Sequence, residues 1–254
     1  MRDHTFEDLW DAEPDESPRR FDPASIADLP APAQRYLCHA LADGVRLASA
    51  VRLRMHGEIR LKDAWFPFDA EQVIRWNRGF VWRARVKMHG LSITGSDRWV
   101  DGEGAMRWKL LGLVPFVHAE GPDVSRSALG RVQIEAIWLP ALLLAPDVVW
   151  RAADSLHLGV DVHLVDERGH LDLTLDPRGG LASASIARWG NPGGDASDHA
   201  AFREIPFGAL VTAERTFHGV TIPSALRVGW YFGTDRFLYD GEFFRVTVDE
   251  ATFR

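Results

Sequence analysis

The stretch GPDVSRSALGRVQIEAIWLPALLLAP, Gly121 to Pro146, decides the fold, because it is the one long apolar run in a chain that otherwise alternates with a period of two. Pro122 suits a first helical turn, and Asp123 and Ser125 offer side-chain oxygens to the free N–H groups there. Val124, Ala128, Val132, Trp138, Leu139 and Leu142 recur among polar residues, so a helix is expected. Pro140 cannot donate to the helical ladder and crowds the turn before it. It should break the helix, leaving Ala141 to Leu144 as a second short piece that Pro146 ends. A bilayer span needs about 20 uninterrupted apolar residues, which this run lacks. It reads as a core helix on which a sheet closes.

Outward from the helix the period is two. Val45, Leu47, Val51, Leu53 and Met55 alternate with Arg46, Arg52, Arg54 and His56, a long half-buried strand. Further strands are expected at Phe66–Trp76, Phe80–His89, Leu91–Val100 and Ala105–Leu110, separated by glycine-bearing turns as in an antiparallel meander. After the helix the pattern resumes at Leu158–Leu164, Leu171–Leu175, Leu181–Arg188, Phe202–Phe217, Val220–Phe232 and Arg236–Val248, with Gly241 marking a bulge in the last. Pro30-Ala-Pro32 opens a short N-terminal helix through Ala42. The expected class is mainly β with some α. It is a large antiparallel, strongly curved sheet or half-barrel of roughly ten or eleven strands around a central broken helix. Gly190 to Ala200 has no periodicity and reads as a mobile loop near a cavity mouth.

Charge divides the chain. Residues 1–30 carry nine acids against three arginines, while the whole chain of 254 residues is only −7, so the part after Pro30 is close to neutral. Residues 1–30 therefore read as an acidic, proline-containing lead-in, with Phe6, Leu9 and Trp10 spaced to dock one helical turn, and residues 31–254 as a single domain. The near-balance of the body argues against a nucleic-acid surface, which would carry a basic stripe. The single cysteine, Cys38, excludes an intrachain disulfide and is expected to be a buried, inert thiol. The charged start lacks the apolar core of a signal peptide, which leads to an expectation of a cytoplasmic protein.

No nucleophile elbow, zinc-protease helix, Walker loop or dinucleotide fingerprint is present, and no metal or cofactor is expected. His163 and His170 flank one hairpin, but alternation puts them on the polar face opposite the leucines. Two features remain. The inward faces are rich in large rings, and ten tryptophans is a high count for one domain. Such rings form either an ordinary aromatic core or the lining of a cavity for an apolar ligand. Arg131 and Glu135, one helical turn apart and followed by Trp138, are expected to point at the sheet, with Arg131 bonded to Glu135 or to a strand carboxylate. If buried, the pair serves either registry or acid/base and anion-binding chemistry. On the registry reading, replacing both residues by apolar groups is expected to be nearly neutral.

Met55-His-Gly-Glu58, Trp65-Phe-Pro-Phe68, the Asp101-Gly-Glu-Gly104 turn with Met106 and Leu110-Leu-Gly112, the Arg131-x-x-x-Glu135-x-x-Trp138-x-Pro140 helix, Trp150, Arg188 and Gly219-Val-Thr-Ile-Pro223 together resemble a bacterial family of unknown function. The resemblance covers about Pro32 to Val248. More remotely the layout resembles the lipoprotein-carrier fold of the LolA and LolB type, and this implies an incomplete barrel closed by helices around an apolar cavity. The expected function is binding of a hydrophobic small molecule or acyl chain. The expected ligand-binding residues are Trp65, Phe68, Trp82, Trp108, Arg131, Glu135, Trp138 and Trp230. The alternatives are a cofactor-free isomerase, cyclase or lyase with Glu135, Arg131, Glu71 or Glu214 as acid/base, and a structural or partner-binding domain.

Overall fold

The computed structural model describes residues 6–12, 19–164, 167–193 and 201–254, and the side chain at 116 is not described. The sheet runs through β1 (Ala50–Leu61), β2 (Ala64–Arg75), β3 (Gly79–Met88), β4 (Leu91–Val100), β5 (Glu103–Leu110), β6 (Val114–Glu120) and, after the helical stretch, β7 (Val149–Ala152). It continues with β8 (His157–Leu164), β9 (Glu167–Leu175), β10 (Leu181–Gly190), β11 (Arg203–Phe217), β12 (Val220–Trp230) and β13 (Glu242–Phe253). Among the described residues these form one antiparallel sheet in the order β6-β5-β4-β3-β2-β1-β13-β12-β11-β10-β9-β8-β7. The sheet is an unclosed, strongly curved surface, and β1 and β13 lie at its middle.

The central helix is α3, Pro122–Ile134, and it continues as a 3₁₀ turn Glu135–Trp138. Leu139 then leaves the helical conformation, and Pro140–Leu144 forms a second 3₁₀ piece before Pro146. The two arms of the sheet curl towards this helix from opposite sides. The oxygens expected to cap it reach across instead: Ser125 Oγ accepts from Gly104 N of β5 at 2.9 Å, and Asp123 Oδ1 accepts from Trp189 Nε1 of β10 at 2.8 Å. Val132, Ile134, Ala136, Ile137, Trp138 and Leu139 are buried in the main core with the inward residues of both arms. Trp138 Nε1 donates to Pro223 O at 3.0 Å, which satisfies the indole inside that core.

Thirteen strands exceed the ten or eleven expected, because β6 and β7 were not legible. Both are edge strands. β6 tolerates Pro115 because an edge need not donate on both sides, and four-residue β7 is too short to show alternation. The strand expected from Val45 starts at Ala50; before it, Phe21 N donates to Val45 O and Leu47 N to Arg19 O, both at 2.8 Å. The last strand begins at Glu242, not Arg236. Phe237–Gly241 forms a π-helical turn, and the irregularity in pairing falls at Val228/Gly229.

Two shorter helices close the body. α2, Ala31–Ala40, buries Ala33, Tyr36, Leu37 and Ala40. Cys38 is exposed, contrary to expectation, because its position falls off that stripe. α1, Phe6–Asp11, lies on the outer face of the sheet, where Phe6 and Leu9 pack on Val73, Val81 and Val100. The buried Arg75 donates to Leu9 O at 2.8 Å and Trp10 O at 3.0 Å, filling carbonyls that a helix C-terminus leaves open. Phe21 and Ile26, which composition assigns to the lead-in, lie in the main core. Residues 13–18 and most of the expected mobile loop, 194–200, fall outside the described residues. No helix among the described residues is long and apolar enough to cross a membrane.

Candidate binding site

Where α3 gives way to its 3₁₀ turn, four ionisable side chains and a glutamine meet on the inner face of the sheet. Arg131 Nε donates to Glu135 Oε1 at 2.8 Å, and its Nη1 donates to Asp97 Oδ2 of β4 at 3.1 Å. Glu135 is buried, and its second oxygen accepts from Gln72 Nε2 of β2 at 2.5 Å. Asp97 Oδ1 accepts from Trp108 Nε1 of β5 at 2.9 Å. The Arg131 guanidinium lies over Phe80 and Trp82, 4.5 and 5.2 Å from their ring centres. A delocalised cation on ring faces with two carboxylates at its donor edges is a stable form of buried charge.

Arg188 of β10 faces this group from the other arm. Its Nε donates to Ser127 O at 2.9 Å, its Nη2 lies 3.4 Å from Ser127 Oγ, and its guanidinium covers Phe207 and Trp230 at 4.5 and 4.9 Å. Burial and the like charge of Arg131 push its pKa down to about 9, against the pull of Glu135 and Asp97, and it stays charged at neutral pH. Burial raises the Asp97 carboxyl above the ordinary range, and Arg131 and Trp108 offset part of the rise. Burial would lower the Arg131 pKa, but Glu135 and Asp97 overcome it and raise the value.

Beneath the two arginines the rings form a continuous belt. Trp108 meets Trp82 at 5.7 Å, Trp82 meets Phe68 at 5.9 Å, and Phe68 stacks on Phe244 at 4.9 Å. Phe244 meets Phe243 at 6.4 Å, Phe243 meets Phe207 at 6.3 Å, and Phe207 meets Trp230 at 5.0 Å. Phe68, Trp82 and Phe207 are buried, whereas Phe243, Phe244, Trp230, Asp97, Arg131 and Arg188 are half-buried and keep some contact with solvent. Two glycines give the end rings their room. A Cβ at Gly95 would stand 2.4 Å from the Trp108 ring, and one at Gly190 would stand 2.3 Å from Trp230.

Of the residues singled out from sequence, Phe68, Trp82, Trp108, Arg131, Glu135 and Trp230 come together here, and Trp138 lies beyond them against β12. Trp65 does not join them. It points to the other face of β2 from Phe66 and Phe68, under Arg245 at 4.2 Å. Glu71 is also on the outer face, with Arg83 Nη2 at 3.2 Å, and Glu214 accepts a 2.8 Å bond from His39 beside α2, so neither reaches the site. His163 and His170 stand on the outer face beside different carboxylates, Asp147 at 3.2 Å and Asp161 at 2.6 Å. No group of three metal-binding side chains occurs among the described residues. Asp97, Gln72, Phe207, Phe243 and Phe244 were missed, and Arg188 was noticed only within a motif. A signal existed for two of them: Gln72 interrupts the inward series Phe66, Phe68, Ala70, Ile74, and Asp97 the inward series Ile93, Gly95, Trp99.

The site's residues fall almost wholly within residues 19–240, which match the model of a family of unknown function, DUF6544. Among curated proteins none matches the sequence. Among solved structures, a LolA superfamily protein from Nitrosomonas europaea is similar at a TM-score of 0.47 and 7% identity, over 88% of this chain and 92% of that one. A DUF1329 family protein from Desulfovibrio piger is similar at a TM-score of 0.43 and 8% identity, over 81% and 86% of the two chains.

Proposed function

The chain belongs to DUF6544, a family of unknown function, and on the chemistry of its site we propose that it binds a hydrophobic small molecule or acyl chain on the ring belt between sheet and helix. The observation that carries this reading is the belt itself, seven rings from Trp108 to Trp230 in unbroken contact. Three of its rings, Phe243, Phe244 and Trp230, remain half-buried. Aromatic surface left partly wet in this way gains from being covered, at about 25 cal/mol for each Å² removed from water. Arg131 lies over Trp82 and Arg188 over Phe207 and Trp230, so an apolar body would lie along Phe243 and Phe244 with its polar end towards the arginines.

The test uses an uncharged probe. Dodecanol titrated into the protein should change the tryptophan fluorescence saturably, and Phe244→Ala should weaken that binding. Absence of saturable binding of dodecanol, and of every other amphiphile tried, would remove the reading. A second reading, a cofactor-free isomerase, cyclase or lyase in the same place, is favoured by one observation: the Asp97 carboxyl stands beside the belt, bonded to Trp108 Nε1 at 2.9 Å, and burial raises its pKa.

A further inference from the structure

We propose that the site selects an amphiphile with an anionic head, a carboxylate for which Arg188 is the receptor; this rests on the reading above and names the ligand class. The ground for it is the way the cluster is shared out. Both of its carboxylates, Asp97 and Glu135, are bonded to Arg131, at 3.1 and 2.8 Å. Arg188 has no carboxylate within ion-pair distance among the described residues; its polar partners both belong to Ser127, a backbone carbonyl and a hydroxyl. These engage Nε and Nη2 and leave Nη1 with no partner among the described residues. A guanidinium presents five donors in a planar fork suited to a carboxylate, so the unused edge is a receptor already oriented. The ring faces of Phe207 and Trp230 hold that plane in place, so little side-chain freedom remains to be lost on binding.

The floor beneath also carries polar groups. Gln72 and Trp82 are direct partners across β2 and β3, and both are buried. Gln72 Oε1 and Trp82 Nε1 nevertheless have no hydrogen-bond partner among the described residues. A buried donor and a buried acceptor left without partners are uncommon in a packed core. Both atoms are enclosed beside Arg131 and Glu135, so a bound molecule reaches them only where the side chains above them shift. Arg131 repels Arg188 across the site, while Glu135 and Asp97, both bonded to Arg131, attract it.

The experiment compares dodecanoate, dodecanol and dodecylammonium on the whole chain by calorimetry near neutral pH. Dodecanoate should bind roughly tenfold or more tighter than dodecanol, the gain expected of one charge-assisted bond, and dodecylammonium the weakest. The preference for dodecanoate should shrink at about 0.5 M salt, while dodecanol binding holds. Arg188→Met keeps a side chain of comparable length over the rings and should bring dodecanoate down to the level of dodecanol; Arg188→Lys should retain part of the preference. Equal binding of acid and alcohol by the native protein, or an undiminished preference in Arg188→Met, overturns the proposal and leaves the ring-belt reading intact. If none of the three binds, both fall. The comparison of probes and salt on the native chain decides the matter without any variant that has to fold.

Discussion

Gln72 Nε2 donates a 2.5 Å hydrogen bond to Glu135 Oε2, tying the second strand of the sheet to the turn in which the central helix ends. Through Glu135 the contact extends to Arg131, and through Arg131 to Asp97 on the fourth strand. Helix and sheet are thus joined by a chain of charge-assisted bonds whose members depend on one another.

Glu135→Ala breaks that chain at its centre. It leaves Arg131 with Asp97 alone and strips Gln72 of its acceptor, and loss of one member of a buried pair costs about 3–5 kcal/mol. Urea unfolding should show a fall of that size. A loss below about 1 kcal/mol would mean that the pair behaves as an exposed one. The double apolar replacement of Arg131 and Glu135 also removes the Arg131 partner of Asp97, so it should cost stability where registry alone would leave it nearly neutral. Adding Asp97→Asn to the double variant should recover stability.

Asp97 should make stability fall with rising pH over one window. Its folded pKa is raised by burial, so between the unfolded value of about 3.9 and that raised value the folded state holds the extra proton. The stability it contributes is present below the unfolded value and is lost as pH rises through the folded one. Unfolding free energies of the native chain and Asp97→Asn, measured from acid to neutral pH, should show the native chain's relative stability declining through this window. A difference that grows with pH would mean that attraction to Arg131 outweighs burial.

Glu242 should act in the opposite sense. Burial alone would raise its pKa, but bonds from Arg227 at 3.0 and 2.5 Å and from Arg245 at 2.6 Å hold the carboxyl below the ordinary range. Its contribution is present above the unfolded value of about 4.3 and is lost as pH falls through the folded one. Glu242→Gln should cost about 1–3 kcal/mol at neutral pH. The gap to the native chain should close in acid, and a gap independent of pH would refute the ionic account.

Gly190→Ala would put a methyl group 2.3 Å from the Trp230 ring, so the ring must leave its place over Phe207. Overpacking of this kind costs about 1–3 kcal/mol. Tryptophan fluorescence should shift with it, and binding of dodecanol should weaken. A stability change under about 0.5 kcal/mol would show that the ring has room to swing aside.

Much of the fold was legible in the chain because it is written in local periodicity. Alternation from Val51 to Met55 and from Leu158 to Leu164 marks strands with one face in the core, and Pro140 marks the break after α3, since each follows from backbone geometry and the burial of one face. Short or proline-bearing edges such as β6 and β7 carry no such pattern, and the burial of Cys38 was misjudged because one helical position separates a core stripe from solvent. The site divides the same way. That Arg131 and Glu135 share a helix face follows from spacing alone, and so does the inward direction of Gln72 and Asp97. What only the tertiary structure decided is which of them meet: Asp97 and Arg131 are 34 residues apart, and Arg188 reaches Ser127 over 61. Those pairings depend on how far a thirteen-stranded sheet curls around one helix, a sum of twists over many strands that no short window of sequence contains.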